Sequence, residues 1–408
     1  MNKTKILFLS DNFPPEGNAP ANRTCDHCKE WVNLGYDVTV ITCAPNFPKG
    51  KVFEGYKNKL YQEEEITGIK VIRVWSFITA NEGTIKRILD YCSFAFMAFI
   101  VGLFQKSDVI IATSPQFFTA VAGRWLSFWK RIPWVFEVRD LWPESIVAVG
   151  AMKRGVAIRF FEWLEKRLYQ SADRIVVVTD SFKQQIKNKG INPDKIFVFK
   201  NGANLEQYKP IEKDLELLQI LGLENKKVFA YIGTHGMAHG LEFILNSVNE
   251  LKNSNPELHF LFIGDGAEKN HLIKIKGKLG ISNVTMLDSV PKTEVIRYLS
   301  IMDVALVNLK KSDTFLNVIP SKIFEAAAMG KPILLGLEGE TKQIIEFYQG
   351  GLCYEPENKT SFLKSVLQII EPENYTGYSD GALRLAADFD RKKIAMALVE
   401  MVDGVVTE

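Results

Sequence analysis

The sequence is poor in the features that mark the specialised classes of protein. Its five cysteines are an odd number without framework spacing, which excludes a disulfide-stapled fold and suits a reducing compartment. Cys25 and Cys28 have CxxC spacing, but no second pair exists, so they read as packing on a helix rather than as a zinc or redox site. Charge of neither sign dominates. The 50 lysines and arginines against 48 aspartates and glutamates leave a formal net charge of +2, which argues against a dedicated nucleic-acid binder. The five histidines are scattered and no DxD stands at a strand end, so no metal cluster is legible; Asp388–Asp390 has that spacing but reads as surface. Long apolar runs are also missing. Tyr91–Gln105, as long an uncharged stretch as any in the chain, lies between Asp90 and Lys106 and falls short of the ~20 residues that a spanning helix needs. It reads as a core or interfacial helix. Met1–Lys5 runs straight into a strand-like Ile6–Ser10 without a signal peptide, and a cytoplasmic protein is expected.

What is present is alternation. The 408 residues, 47% apolar and 24% charged, suffice for two or three domains with cores of their own. Lys5–Ser10 reads as a strand, Asp11–Asn22 as a loop, and the stretch through Trp31–Leu34 as a helix stopped at Gly35; Asp37–Thr42 then reads as a second strand. The same order recurs with strand Lys227–Ile232, loop Gly233–Gly240, helix Leu241–Lys252 and strand His259–Ile263. This is the βαβ opening of a parallel doubly wound sheet, met twice. Further strands are expected at Val71–Val74, Val109–Ala112, Trp134–Val138 and Ile175–Val178, then at Val284–Met286, Val304–Val307 and Ile333–Leu335. The fold class is therefore α/β, with two Rossmann-like, doubly wound parallel-sheet domains at 1–204 and 205–389. A C-terminal helix at 390–408 has no strand of its own to cover and is expected to pack back on the first domain.

In open α/β sheets ligands bind beyond the carboxyl ends of the strands. Gly17 lies there in the first half, in FPPEGNAPANR, where two prolines fix the backbone and glycine allows close approach. In the second half Gly233, Thr234, His235, Gly236, His239 and Gly240 precede a helix N-terminus, whose free N–H groups favour phosphate. The plainer reading is a pair of tight strand–helix turns. Gly264, Asp265 and Gly266 (FIGDG) suit a flat base lying on backbone, and Val290 within SVPK could close over its other face. In NVIPSKIFEAAAMGKP, Pro320 and Ser321 read as a helix start with Ser or its neighbour capping. Lys322 can then neutralise a diphosphate and Glu325 can grip a ribose diol. Alternatively Glu325 simply complements the helix dipole.

These segments, with EVRDLWPES (Glu137–Ser145), YIGTHGMAHGLE and IPSKIFEAAAMGKPIL, carry a resemblance over essentially the full length. The chain resembles the retaining GT-B glycosyltransferases of family four. More narrowly it is similar to the bacterial branch that transfers N-acetyl-L-fucosamine (L-fucosamine) in O-antigen and capsule assembly. The resemblance implies two domains facing a central cleft, with a UDP-sugar donor held by the second and the acceptor by the first. It implies transfer with retention, no metal ion and no cofactor, to a polyprenyl-diphosphate-linked saccharide. Glu325 matches the family's ribose-binding carboxylate. Two places depart: Asn317 stands where many members have a glutamate on the donor sugar, and Thr234 and His239 stand where many have an arginine and a lysine. The cationic duty then shifts to Lys322, helped by His239, Arg139 or helix dipoles.

A proton acceptor for the incoming hydroxyl can be the donor phosphate itself, or Asp140 or Glu144 on the loop after Trp134–Val138. The alternative is structural, with Asp140 capping the turn and Arg139 paired to it. From Thr84 to Val135 six basic residues (Lys86, Arg87, Lys106, Arg124, Lys130, Arg131) stand against Asp90 and Asp108, interleaved with Trp125, Trp129, Trp134 and several phenylalanines. That pattern fits the anionic inner surface of a cell membrane, or else a buried helix with a solvated rim. Two other functions stay open on sequence grounds: a nucleotide-sugar epimerase of the same fold, and a non-catalytic nucleotide-sugar-binding assembly protein.

Overall fold

The continuous apolar runs become the inner strands of two sheets in a computed structural model that describes residues 3–47, 49–79, 84–144 and 155–407. Ser145, the last residue of EVRDLWPES, lies outside the described residues. The chain divides into two units. One runs to Lys200 and takes back the segment from Arg391; the other is Asn201–Asp390.

The first unit holds β1 (Lys5–Leu9), β2 (Asp37–Cys43), β3 (Tyr61–Ile66), β4 (Ile69–Val74), β5 (Val109–Thr113), β6 (Trp134–Val138), β7 (Arg174–Val177) and β8 (Ile196–Val198). Their order across the sheet is β3-β4-β2-β1-β5-β6-β7-β8. Strands β5 and β6 are buried along their whole length, as strands covered on both faces must be. Leu7 and Leu9 point into one core with Ile110, Ala112 and Phe136, while Ile6 and Phe8 point into another with Trp31, Val109 and Val135. Successive side chains thus feed opposite layers. Helix α1 (Ala19–Asn33) covers the second face, whereas α2 (Thr84–Leu103), α3 (Phe117–Lys130), α4 (Val156–Ser171) and the helix Asp180–Asn188 cover the first. Helix α1 starts where the sequence caps it, with the Asn18 side chain accepting from Ala21 N at 2.9 Å and proline in the first turn. The C-terminal helix Arg391–Thr407 lies against α1, where Trp31 Nε1 donates to the Ala395 carbonyl at 2.8 Å.

The second unit holds β9 (Lys227–Ile232), β10 (Leu258–Ile263), β11 (Val284–Leu287), β12 (Val304–Asn308), β13 (Ile333–Gly336) and β14 (Gly351–Cys353), in the order β11-β10-β9-β12-β13-β14 and parallel throughout. Helices α5 (Leu241–Val248) and α6 (Lys322–Ala328) follow β9 and β12 respectively. The strand order reverses at β1/β5 in one sheet and at β9/β12 in the other. Those are the switch points at which ligands collect.

Three strands escape the sequence reading. β3 pairs antiparallel to β4, so the first sheet is not purely parallel. Its YQEEEI alternates exposed and half-buried positions, too polar to stand out as a strand, and it is closed by the positive-φ pair Thr67 and Gly68. β8 and β14 are three residues each, too short for any period. Among the described residues no helix is long and apolar enough to cross a membrane.

Candidate functional site

In the second unit two glycine loops meet back to back. Gly233 N donates to the Ile263 carbonyl at 2.9 Å, and His235 N to the Asp265 carbonyl at 2.8 Å. A Cβ on Gly264 would sit 1.8 Å from the Gly233 carbonyl oxygen, and one on Gly266 would sit 2.5 Å from that of His235. Only glycine fits this approach. The two FIGDG glycines are therefore explained by the neighbouring loop, which removes the need for a stacked base to explain them. Asp265 is exposed, and its Oδ1 accepts from Gly266 N at 2.8 Å.

The loop after β9 carries a lysine from elsewhere. Lys322, at the start of α6, lays its Nζ 3.8 Å from the centroid of the Tyr231 ring, and a Cβ on Gly233 would come within 2.9 Å of that nitrogen. Glycine at 233 is what leaves room for the amine. Burial pushes the Lys322 amine down to about 7, and the nearby Glu325 carboxylate opposes that shift. Tyr231 itself is fully buried and donates its hydroxyl to the Thr234 carbonyl at 2.7 Å. A second fastening runs through Asn308 at the end of β12: Tyr354 Oη donates to Asn308 Oδ1, and Asn308 Nδ2 donates to the His239 carbonyl, both at 2.7 Å. Lys310 N adds a bond to the Ala238 carbonyl at 2.9 Å. The loop is thus tied at Thr234, Ala238 and His239 without any ligand.

Two histidines line it. His235 is fully buried, and neither ring nitrogen has a hydrogen-bond partner among the described residues. Burial, with help from Lys269 and Lys322 and against Asp265, pushes it down to about 4. His239 is pushed to about 4 chiefly by burial and next by Lys322. Burial therefore favours the neutral form of both rings at pH 7. Lys322 is one of three lysines at these loops: Lys310 lines the first beside Gly240, and Lys269 donates its Nζ to the Gly264 carbonyl at 2.8 Å. Ser321 precedes α6 in helical conformation, and its side chain makes no capping bond, which corrects the expectation of a serine cap. Val290 is half-buried against the core beneath α6.

In the first unit the switch point is built from β1, β5 and β6. Ser114 Oγ, just after β5, accepts from Arg139 N at 2.7 Å and Asp140 N at 3.3 Å. Gln116 donates to the Asp11 carboxylate, which burial pushes well above the usual range, with Asp90 and Glu16 adding to the effect. Below them Arg23 pairs with Glu137 at 3.1 Å, both buried, and donates to the carbonyls of Lys200 (3.0 Å) and Phe199 (2.9 Å). Arg139 turns toward this cluster: its guanidinium donates to the Pro20 carbonyl at 3.3 Å, and burial lowers its pKa to about 10 against the pull of Glu137. Glu144 is paired with Lys189 at 3.0 Å, a lysine that also holds Glu165 at 2.7 Å. Gly17 is exposed; no atom lies within 4 Å of its would-be Cβ and its φ is not left-handed, so packing does not demand glycine there.

Residues 18–202 match the glycosyl transferase 4-like domain, and residues 214–379 match the glycosyl transferases of group 1. The chain is a glycosyltransferase. It is 25% identical over 413 residues to a putative colanic acid biosynthesis glycosyl transferase, WcaI of Escherichia coli, covering 98% of this chain and 100% of the relative. It is 28% identical over 283 residues to the probable glycosyltransferase WbjE of Pseudomonas aeruginosa, 68% of this chain and 70% of the relative. Among solved structures it is similar to Anabaena HepE in complex with UDP and glucose, with TM-score 0.71, 17% identity, and coverage of 98% of this chain and 100% of that one. A sucrose-phosphate synthase from Thermosynechococcus elongatus gives TM-score 0.78 at 15% identity, over 99% of this chain and 100% of that one. The two sheets are those of the GT-B fold.

Within this glycosyltransferase the structure gathers Gly233, Thr234, His235, Gly264, Asp265, Gly266 and Lys322 around one pair of loops, with Gly236 and His239 farther along the first. Arg139 and Asp140 share Ser114, while Glu144 is drawn aside by Lys189. Sequence reasoning missed Tyr231 and Asn308, because each reads as one more strand residue. It also missed Asp11 and Gln116, whose only signal is their place directly after β1 and β5.

Proposed function

We propose that the enzyme moves a sugar from a UDP-sugar, with retention of configuration, to a polyprenyl-diphosphate-linked saccharide during assembly of a cell-surface polysaccharide. The observation that carries the donor half is the Lys322 amine held over Tyr231 beside Gly233. A diphosphate beside this loop would meet the Lys322 amine and backbone N–H groups, the kind of field that stabilises a leaving group. In the proposed step the bond between the anomeric carbon and the UDP oxygen breaks, and both electrons leave with UDP. The acceptor oxygen bonds to that carbon, and its proton passes to the departing phosphate. Lys322 offsets the charge that accumulates there, Glu325 holds the ribose diol, and the glycine loop takes the phosphates.

Support for UDP comes from the similar structure of Anabaena HepE, which is in complex with UDP and glucose. Support for surface polysaccharide comes from a relative named for colanic acid biosynthesis, and from similarity to the structure of a glycosyltransferase involved in lipopolysaccharide biosynthesis. An N-acetylamino-deoxy-hexose such as N-acetyl-L-fucosamine is the proposed sugar, on the resemblance of the motifs.

Work at an inner membrane surface is part of the proposal. Helices α2, α3 and α4 expose Phe96, Trp125, Phe128, Trp129, Phe160 and Trp163, each more than 45% accessible. Arg131, Arg159 and Arg167 are exposed on or next to α3 and α4. Aromatic rings among cations suit an anionic lipid interface. Lys130 is a poorer contributor than the sequence suggests, because its Nζ donates to the carbonyls of Gln105 (2.5 Å) and Leu103 (3.4 Å).

A thermal-shift screen against UDP- and GDP-sugars tests the donor, followed by transfer to a prenyl-diphosphate saccharide with anomeric NMR of the product. A stabilising UDP-sugar and a retained anomer are expected; a preference for GDP-sugars or an inverted product would refute the reading.

A further inference from the structure

The loop between β2 and β3 forms a groove that the donor chemistry leaves unused. Its near wall is fixed by Glu16, 3% exposed, whose Oε1 accepts from Asn46 N at 2.7 Å and Phe47 N at 2.8 Å. The loop then folds on itself, with Phe53 N donating to the Pro45 carbonyl at 2.9 Å and Tyr56 N to that of Phe53 at 3.1 Å. Buried Arg73 fastens the floor: it donates to the carbonyls of Cys43 (2.9 Å) and Pro14, and its guanidinium carbon lies 4.9 Å from the Tyr56 ring centroid. The groove encloses about 670 Å³ and is lined by Pro15, Lys49, Lys51, Phe53, Glu54 and Tyr56 among others. Phe53 and Tyr56 are half-buried, while both lysines and Glu54 are exposed.

We propose that this groove is the subsite for the first sugar and the diphosphate of the lipid-linked acceptor. The inference rests on the transferase reading above and names where the acceptor head lies. Sugars present C–H faces that pack on aromatic rings, and hydroxyls that need an acceptor; Phe53 and Tyr56 supply the first and Glu54 the second. A diphosphate carries about two negative charges, which the two lysines complement. The groove is of ligand size, within the roughly 300–1,000 Å³ of small-molecule sites. It also adjoins the right place, since Pro15 belongs to the loop after β1 at the switch point of the first sheet. A bare lipid headgroup would use the lysines but would have no use for the aromatic wall.

The test is calorimetric titration of the full chain, without donor, with N-acetylglucosamine linked through diphosphate to a geranyl chain. Parallel titrations use geranyl diphosphate, free N-acetylglucosamine and short-chain phosphatidylglycerol. The joined probe is expected to bind at least tenfold more tightly than any of the three. The Lys49→Ala/Lys51→Ala double variant should lose at least tenfold for the joined probe and flatten its salt dependence. Phe53→Ala should weaken the joined probe while leaving geranyl diphosphate unchanged. The proposal is overturned if the double variant binds as the parent does, or if phosphatidylglycerol binds as well as the joined probe. Titrating UDP into the same samples keeps the two readings apart. UDP binding without probe binding sinks the subsite alone, and probe binding without UDP binding sinks the donor reading alone.

Discussion

The Lys322 amine lies 3.8 Å from the centroid of the Tyr231 ring, between a strand-end aromatic and a glycine that leaves it space. The ring face favours the charged amine, yet burial outweighs it and brings the pKa down to about 7. At neutral pH, therefore, part of the population holds a neutral lysine. A diphosphate restores the charge, so its binding should take up protons. Titration of UDP in buffers of different ionisation enthalpy at pH 7.5 is expected to show uptake of a fraction of a proton, absent in Lys322→Met.

The same shift has a sign for stability. Between about 7 and the ordinary 10.5 the unfolded chain binds the proton that folded Lys322 has lost, so stability rises with pH across that window. Lys322→Met removes this dependence. Relative to the parent it should be more stable by roughly 4 kcal/mol at pH 7, with the gap closing toward pH 10. Urea unfolding at the two pH values checks it.

Asn308→Ala cuts both bonds of the Tyr354–Asn308–His239 chain and strands the tyrosine hydroxyl in a buried site. A cost of about 1–3 kcal/mol is expected. Hydrogen exchange should speed up at Ala238–Gly240, and nucleotide affinity should fall through loss of preorganisation. Unchanged exchange in that loop would contradict the account of its rigidity.

The buried Arg23–Glu137 pair should behave as a structural ion pair. Burial alone would raise the Glu137 carboxyl, but Arg23 and Arg139 more than offset it and hold its pKa below the ordinary 4.5. Its contribution is present above pH 4.5 and is lost as pH falls through the lowered value. Arg23→Ala, which also removes two carbonyl contacts, should cost about 3–5 kcal/mol. The loss should be read in unfolding of the first unit.

Phe128 and Trp129, 69% and 63% accessible, carry the proposed lipid contact. The double substitution to serine should abolish flotation with phosphatidylglycerol vesicles at unchanged melting temperature. Arg131→Glu should reduce flotation most at low salt, where surface charges are least screened.

Much of this was legible in the chain. Long apolar strands such as HFLFI and WVFEV announce themselves, because a strand covered on both faces is apolar along nearly its whole length, His259 and Glu137 being the exceptions here. The antiparallel strand β3 has one covered face and a run of glutamates, and its sequence hides it. At the site, glycine patterns located both loops, but the reason for Gly264 and Gly266 is a backbone approach from thirty residues away, which no local pattern encodes. Glu144 looked like a free carboxylate for the same reason: its partner Lys189 is distant in sequence. The departures at Thr234 and His239 directed attention to Lys322, and the structure sets its amine beside Gly233, a contact that no local pattern encodes.

The most direct test of the donor site is calorimetric titration of UDP into the full chain and into Glu325→Ala, with melting temperatures recorded for both. Glu325 faces Lys322 electrostatically from the same short helix and is the proposed ribose grip. The account predicts at least a tenfold loss of affinity, about 1.4 kcal/mol or more, at nearly unchanged melting temperature. Equal affinity in the two proteins would contradict it.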